Sequence, residues 1–149
     1  MPSPRAKLGK PMLEKTAAAV FDTHIWLRAS AGDPQLGALR NFRGTAIVPA
    51  ISVWEVAMLA SKGRLELKPD VDRWIRENLQ PPVRLEPLHP EISLESCRLQ
   101  DFHGDPADRL IVATALVLGV PLITADRQIT GWNDRHARLQ IIRADSLVA

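Results

Sequence analysis

Four short apolar stretches in this chain of 149 residues each run into a helix start, and every one of those breaks carries an acidic residue. The junctions read AAAVFDTH, IVPAISVWEVA, HGDPADRLIVATA and PLITAD, and their carboxylates are Asp22, Glu55, Asp108 and Asp126. Short apolar runs bounded by turn signals are buried strands, and the periodic segments between them are crossover helices. That alternation predicts an α/β sandwich built on a largely parallel sheet.

The strands are expected at Ala17–Asp22, Thr45–Val48, Val83–Leu88, Pro121–Thr124 and Leu139–Ile142. A helical stretch follows the first strand through Ile25, Trp26 and Leu27, and Pro34 opens a second helix to about Phe42. Val53–Lys62 reads as a helix closed by Gly63, and Pro69–Leu79 repeats apolar residues at helical spacing. Glu91–Leu99 is helical, and Pro106–Leu118 is a long helix ended by Gly119.

Size allows one domain with a real core. Residues 1–16 hold Pro2, Pro4, Gly9 and Pro11 with little apolar content, and read as a disordered basic extension or a start-site extension, with Met12 an alternative start. The single domain then runs over residues 17–149. The extension carries Arg5, Lys7, Lys10 and Lys15 against Glu14, a net +3, so the remainder of this +2 chain is at −1. Bulk charge therefore gives no independent sign of nucleic-acid binding, and any affinity for phosphate must be local. No apolar run reaches the roughly 20 residues that span a bilayer, and no secretory h-region is seen. With one cysteine, Cys97, neither an internal disulfide nor a multi-cysteine metal site is possible, and a reducing cytoplasm fits.

Each acid has a local explanation. Asp22, Asp105 and Asp126 read as helix caps, and Ser52 with Glu55 spells a capping box. Asp108 lies in the first turn of its helix, favoured there by the helix dipole but not needed for capping. Capping does not say where the acids go. In an open parallel sheet every strand-to-helix turn points to the same carboxyl edge, where ligands bind. Two carboxylates about 4 Å apart repel by about 4 kcal/mol at an effective dielectric near 20, and a divalent cation offsets that repulsion. Oxygen-only ligands favour Mg²⁺ or Mn²⁺ over zinc, and their common use is phosphodiester hydrolysis.

Other acid-bearing chemistries are absent. Asp22-Thr23-His24 lacks the second aspartate of a phosphoaspartyl hydrolase, and no phosphate-cradling glycine loop or H-E-x-x-H occurs. Trp26, Trp54 and Trp74 read as core, Trp132 as the most exposed tryptophan, and Cys97 as a packing residue.

Taken in order, FDTHIWL, ISVWEVA, DPADRLIVATA and PLITAD closely resemble the PIN-domain ribonucleases, and within them the VapC-type toxins of bacterial toxin–antitoxin pairs. The resemblance covers about residues 17–145. It implies a three-layer α/β/α fold and an acidic pocket of Asp22, Glu55, Asp108 and Asp126 acting as metal ligands and catalytic groups. Asp105 matches a peripheral acidic position, and Thr124 the small hydroxyl residue that orients a ligand or water. It also implies a Mg²⁺ or Mn²⁺ cofactor, an RNA substrate, a cognate antitoxin and a homodimer. Arg109 fits a structural ion pair, while Arg28, Arg40, Arg43, Lys62, Arg64 and Arg127 are candidates to follow an RNA backbone. A PIN nuclease of RNA processing, or a PIN binding module that no longer cuts, are the alternatives.

Overall fold

The computed structural model describes residues 13–144. Its strands are β1 (Ala18–Phe21), β2 (Thr45–Pro49), β3 (Val83–Glu86), β4 (Leu122–Thr124) and β5 (Ile141–Arg143). The helices are α1 (Thr23–Ser30), α2 (Ala50–Ser61), α3 (Val71–Glu77), α4 (Pro90–Arg98), α5 (Pro106–Leu118) and α6 (Arg127–His136), with a 3₁₀ helix η1 at Pro34–Asn41. All five strands pair in parallel in the order β3-β2-β1-β4-β5. Progress runs outward from β1 to β3, then returns to the other side of β1 for β4 and β5. The reversal lies between β1 and β4.

Both faces of the sheet are covered, which explains why the strands are almost wholly apolar. Ala19, Phe21, Ala46, Val48 and Ile123 point to one face, where Ile25 and Trp26 of α1, Leu36 of η1 and Val56 of α2 cover them. Their strand neighbours Val20, Ile47 and Leu122 point to the other, against Ile111, Val112 and Ala115 of α5 and Ile129 and Trp132 of α6. This is the three-layer α/β/α sandwich. Ile111 to Ala115 are all buried, so α5 lies between its neighbours on nearly every face. Gly119 stops it in the left-handed region at φ 66°.

Several boundaries differ from the sequence reading. Leu13, assigned there to the extension, is 1% exposed and packs in the first core cluster, so the folded unit begins at or before it; residues 1–12 lie outside the described range. Pro34–Asn41 is a 3₁₀ helix broken at Leu36 (φ −105°, ψ 24°), not an α-helix. Helix α2 begins at Ala50 with Pro49 as its cap, three residues before the expected start. The tryptophans also change places. Trp132 is 2% exposed, donates to Gln100 O at 2.8 Å and meets Phe102 edge-on, whereas Trp54 stands 57% exposed. Cys97 is exposed and not a packing residue.

Candidate active site

Asp22 follows the last residue of β1 and stands at the N-cap position of α1. Capping alone does not account for it. One oxygen, Oδ2, accepts from Thr124 Oγ1 at 2.6 Å. Thr124 ends β4, so this bond joins the two strands that flank the reversal in strand order. In doubly wound sheets that reversal is where a crevice opens at the carboxyl edge. Asp22 is 5% exposed, and burial pushes its pKa up against the lowering influence of Thr124 and of His24.

Glu55 is not part of a capping box. Ser52 is fully buried within the first turn of α2, and both residues turn toward α1. Thr23 Oγ1 lies 2.6 Å from Glu55 Oε1 and 2.7 Å from Ser52 Oγ. A threonine has one proton to give, and an ionised carboxylate can only accept. Thr23 therefore donates to Glu55 and takes its second hydrogen bond from Ser52. The relay fixes the Glu55 head group at the mouth of the crevice. Burial raises its pKa, Thr23 lowers it, and the charges of Asp105 and Asp22 raise it again.

Asp105 and Asp108 divide the roles expected of them. Asp105 caps α5, its Oδ1 accepting from Asp108 N at 2.9 Å, with Pro106 in the first helical turn. The Asp108 carboxylate projects from that turn, and its pKa is pushed up to about 7. Partial burial is the largest cause, followed by the charges of Asp105, Asp126, Asp22 and Glu55. Those charges act together only because the chain brings them to one place. Gly104 keeps the approach open, since a Cβ there would run into the Phe102 ring and stand 3.0 Å from the Cβ of Asp108.

Asp126 caps α6, with Oδ1 accepting from Gln128 N at 2.8 Å and Ile129 N at 3.1 Å. Its own backbone N–H donates to Thr124 Oγ1 at 3.0 Å. Thr124 thus ties Asp22 and Asp126 together. Its place beside the last acid is legible in sequence; Thr23, which holds Glu55, is singled out by no motif, and Ser52 is read there as a cap and not as a partner of Thr23. Among the described residues Arg109 makes no ion pair with an acid, contrary to the structural pair expected of it. It donates to the carbonyls of Ser96 and Phe102 at 2.9 Å each and packs over the Phe102 ring, fastening α4 to α5.

A family model for the PIN domain matches residues 19–131. The chain belongs to the PIN-domain family. This PIN domain is 40% identical over 92 residues to Ribonuclease VapC22 of Mycobacterium tuberculosis, a match covering 61% of this chain and 68% of that protein. Among solved structures it resembles a chain of a toxin-antitoxin complex from Klebsiella pneumoniae, at 22% identity and a TM-score of 0.59, covering 76% of this chain and 91% of the other. It also resembles a chain of VapBC2 from Rickettsia felis bound to a promoter DNA fragment, at 17% identity and a TM-score of 0.64, covering 85% and 98%.

The donors at the crevice fit a hard divalent ion, because the clustered groups are carboxylate and hydroxyl oxygens, with neither a thiolate nor a buried imidazole. Among the described residues no three side chains of the His, Cys, Asp and Glu type are already drawn together as a ligand shell. The acids of the PIN domain lie within each other's electrostatic field. Closing on an ion would take side-chain movement.

Proposed function

We propose that this PIN domain is a Mg²⁺- or Mn²⁺-dependent endoribonuclease that serves as the toxin of a toxin–antitoxin pair. The observation that carries the reading is the gathering of carboxylates around Asp108, whose pKa is pushed up to about 7 by burial, by the neighbouring Asp105 and by three acids from distant parts of the chain, Asp126, Asp22 and Glu55. Such a site is tuned to receive positive charge. The 40% identity to a protein named as a ribonuclease supports RNA as substrate, and the solved toxin–antitoxin neighbours support an antitoxin partner. A homodimer acting in the cytoplasm completes the reading. No helix among the described residues is long and apolar enough to cross a membrane.

Asp22, Asp108 and Asp126 would hold the ion. When bound there it supplies a nucleophile from water at neutral pH and a Lewis acid for the phosphoryl oxygens. Thr124 orients Asp22 by donating to Oδ2, which leaves Oδ1 for the ion. Glu55, with Oε1 engaged by Thr23, is a ligand through its other oxygen or aligns the attacking water. The water oxygen forms a new bond to phosphorus, the ester P–O bond breaks, and the departing ribose oxygen takes up a proton.

Sequencing of RNA ends after brief induction tests the reading. The wild type is expected to create new ends within a defined set of transcripts, and Asp108→Asn none above background. New ends of equal abundance in both strains would remove the assignment.

A further inference from the structure

On the far side of Thr124 from Asp22, a second basin of about 330 Å³ opens between α1, η1, α6 and β5. Among the described residues, Arg28, Gln35, Thr124, Arg127, Thr130 and Arg143 line it, and none of these is a carboxylate. Three arginines thus border one small volume in a chain whose folded part carries no excess of positive charge, and one of them, Arg28, is ion-paired with Asp33. The arrangement is built, not incidental. Arg28 Nε donates to Asp33 Oδ2 at 2.8 Å and Nη2 donates to Gln35 Oε1 at 3.2 Å, which fixes its guanidinium on one wall. Arg143 stands opposite Thr124 in the β4–β5 register, and Arg127 opens α6 immediately after Asp126.

Thr124 belongs to both places, since it bonds Asp22 and also lines the arginine basin. A nucleic-acid strand entering the acidic crevice is repelled by every carboxylate there that an ion does not neutralise. Guanidinium groups one residue away offset that repulsion and bind phosphate oxygens through paired N–H groups. We infer that the basin of Arg28, Arg127 and Arg143 holds a backbone phosphate of the RNA strand neighbouring the one that is cut, and so sets the strand's position in the crevice. This rests on the ribonuclease reading above for the identity of the strand. The contact is to phosphate, so it positions the substrate without reading its sequence.

Binding of a fluorescent single-stranded RNA to the full chain in EDTA measures the contact without cleavage. Arg127→Glu is the informative variant, because an acid in the first turn of α6 suits the helix dipole and a melting curve will confirm that the protein stays folded. Its affinity is expected to fall at least about tenfold, with the salt slope shallower by about 0.7 for each phosphate no longer neutralised. Arg127→Ala should lose about threefold, and Arg76→Glu, an equal charge change on the exposed last turn of α3, less than twofold. Equal losses at 76 and 127 would reduce the effect to bulk charge and overturn the inference. So would unchanged RNA binding in Arg127→Glu alongside weakened association with a partner protein, since an acidic segment would then be the occupant. Failure of the wild type to bind RNA overturns it outright. If the wild type binds RNA as described but never cuts it with Mg²⁺ or Mn²⁺, the basin stands and the nuclease reading falls. If it cuts RNA while Arg127→Glu binds unchanged, the reverse holds.

Discussion

Thr124 Oγ1 donates to Asp22 Oδ2 at 2.6 Å while accepting from Asp126 N at 3.0 Å, so one buried hydroxyl joins two acids from opposite ends of the chain. It does so across the β1–β4 boundary, where the strand order reverses. Removing it leaves a buried carboxylate oxygen and a backbone amide without partners.

Thr124→Val, which keeps the shape, is therefore expected to cost about 1–3 kcal/mol of stability and to weaken Mn²⁺ binding. Thr124→Ser should restore most of both. Urea denaturation and metal titration of the three proteins check this; a valine variant as stable as the wild type would contradict the role.

Asp108→Asn removes one of five mutually repelling charges. Without metal the variant should melt at or above the wild-type temperature, yet RNA cleavage should fall at least about a hundredfold. A variant that is inactive because it is unfolded would show the opposite melting shift.

The pH dependence follows from the same residue. Asp108 binds its proton more tightly in the folded state, at about 7, than at the ordinary value of 3.8. Between those values the native state holds more protons than the unfolded one, so stability falls as pH rises through the window. The raised pKa values of Asp22 and Glu55 act in the same direction. In EDTA the melting temperature should decline from about pH 5 to pH 8 at constant ionic strength. Asp108→Asn should flatten the decline.

Divalent ions should reverse it. Binding to the native state at a hundredfold excess over Kd contributes about 2.7 kcal/mol, roughly 5–10 °C for a domain of this size. The gain should be greatest above pH 7, where ion and proton no longer compete for Asp108. Scanning calorimetry with Mn²⁺ in the absence of RNA avoids any confusion with turnover.

Trp132 and Trp54 offer a test of the packing. Trp132→Ala should cost about 3–5 kcal/mol, since it empties a buried site, while Trp54→Ala should be nearly neutral. Similar costs for the two would mean that their environments are misassigned.

The strand-to-helix junctions were legible because each is marked twice, by an apolar run that stops and by an acid or proline that starts a helix. Helix α5 is read to the residue, with Asp105 and Pro106 at one end and Gly119 at the other. Helix α6 is marked only at its start, by Asp126: RQITGWNDRH is polar, carries Gly131, and turns only Ile129, Thr130 and Trp132 inward. Its tryptophan looks exposed in sequence for that reason. Trp54 misleads in the opposite sense, because the inward positions of α2 around it are taken by Ser52 and Val56. The acids themselves could be chosen from their shared sheet edge. Their supports could not, since Thr23 and Ser52 are lone hydroxyls whose meaning depends on the contact between α1 and α2.

The central place of β1 has a consequence for synthesis. Asp22 leaves the ribosome early, but the strand that flanks it and the acid beside it arrive only with residues 122–126. A polypeptide interrupted before that point owns fewer than the full set of carboxylates and lacks the hydroxyl that aligns the first. The bonded arrangement of Asp22, Thr124 and Asp126 is therefore completed only as the last fifth of the chain emerges.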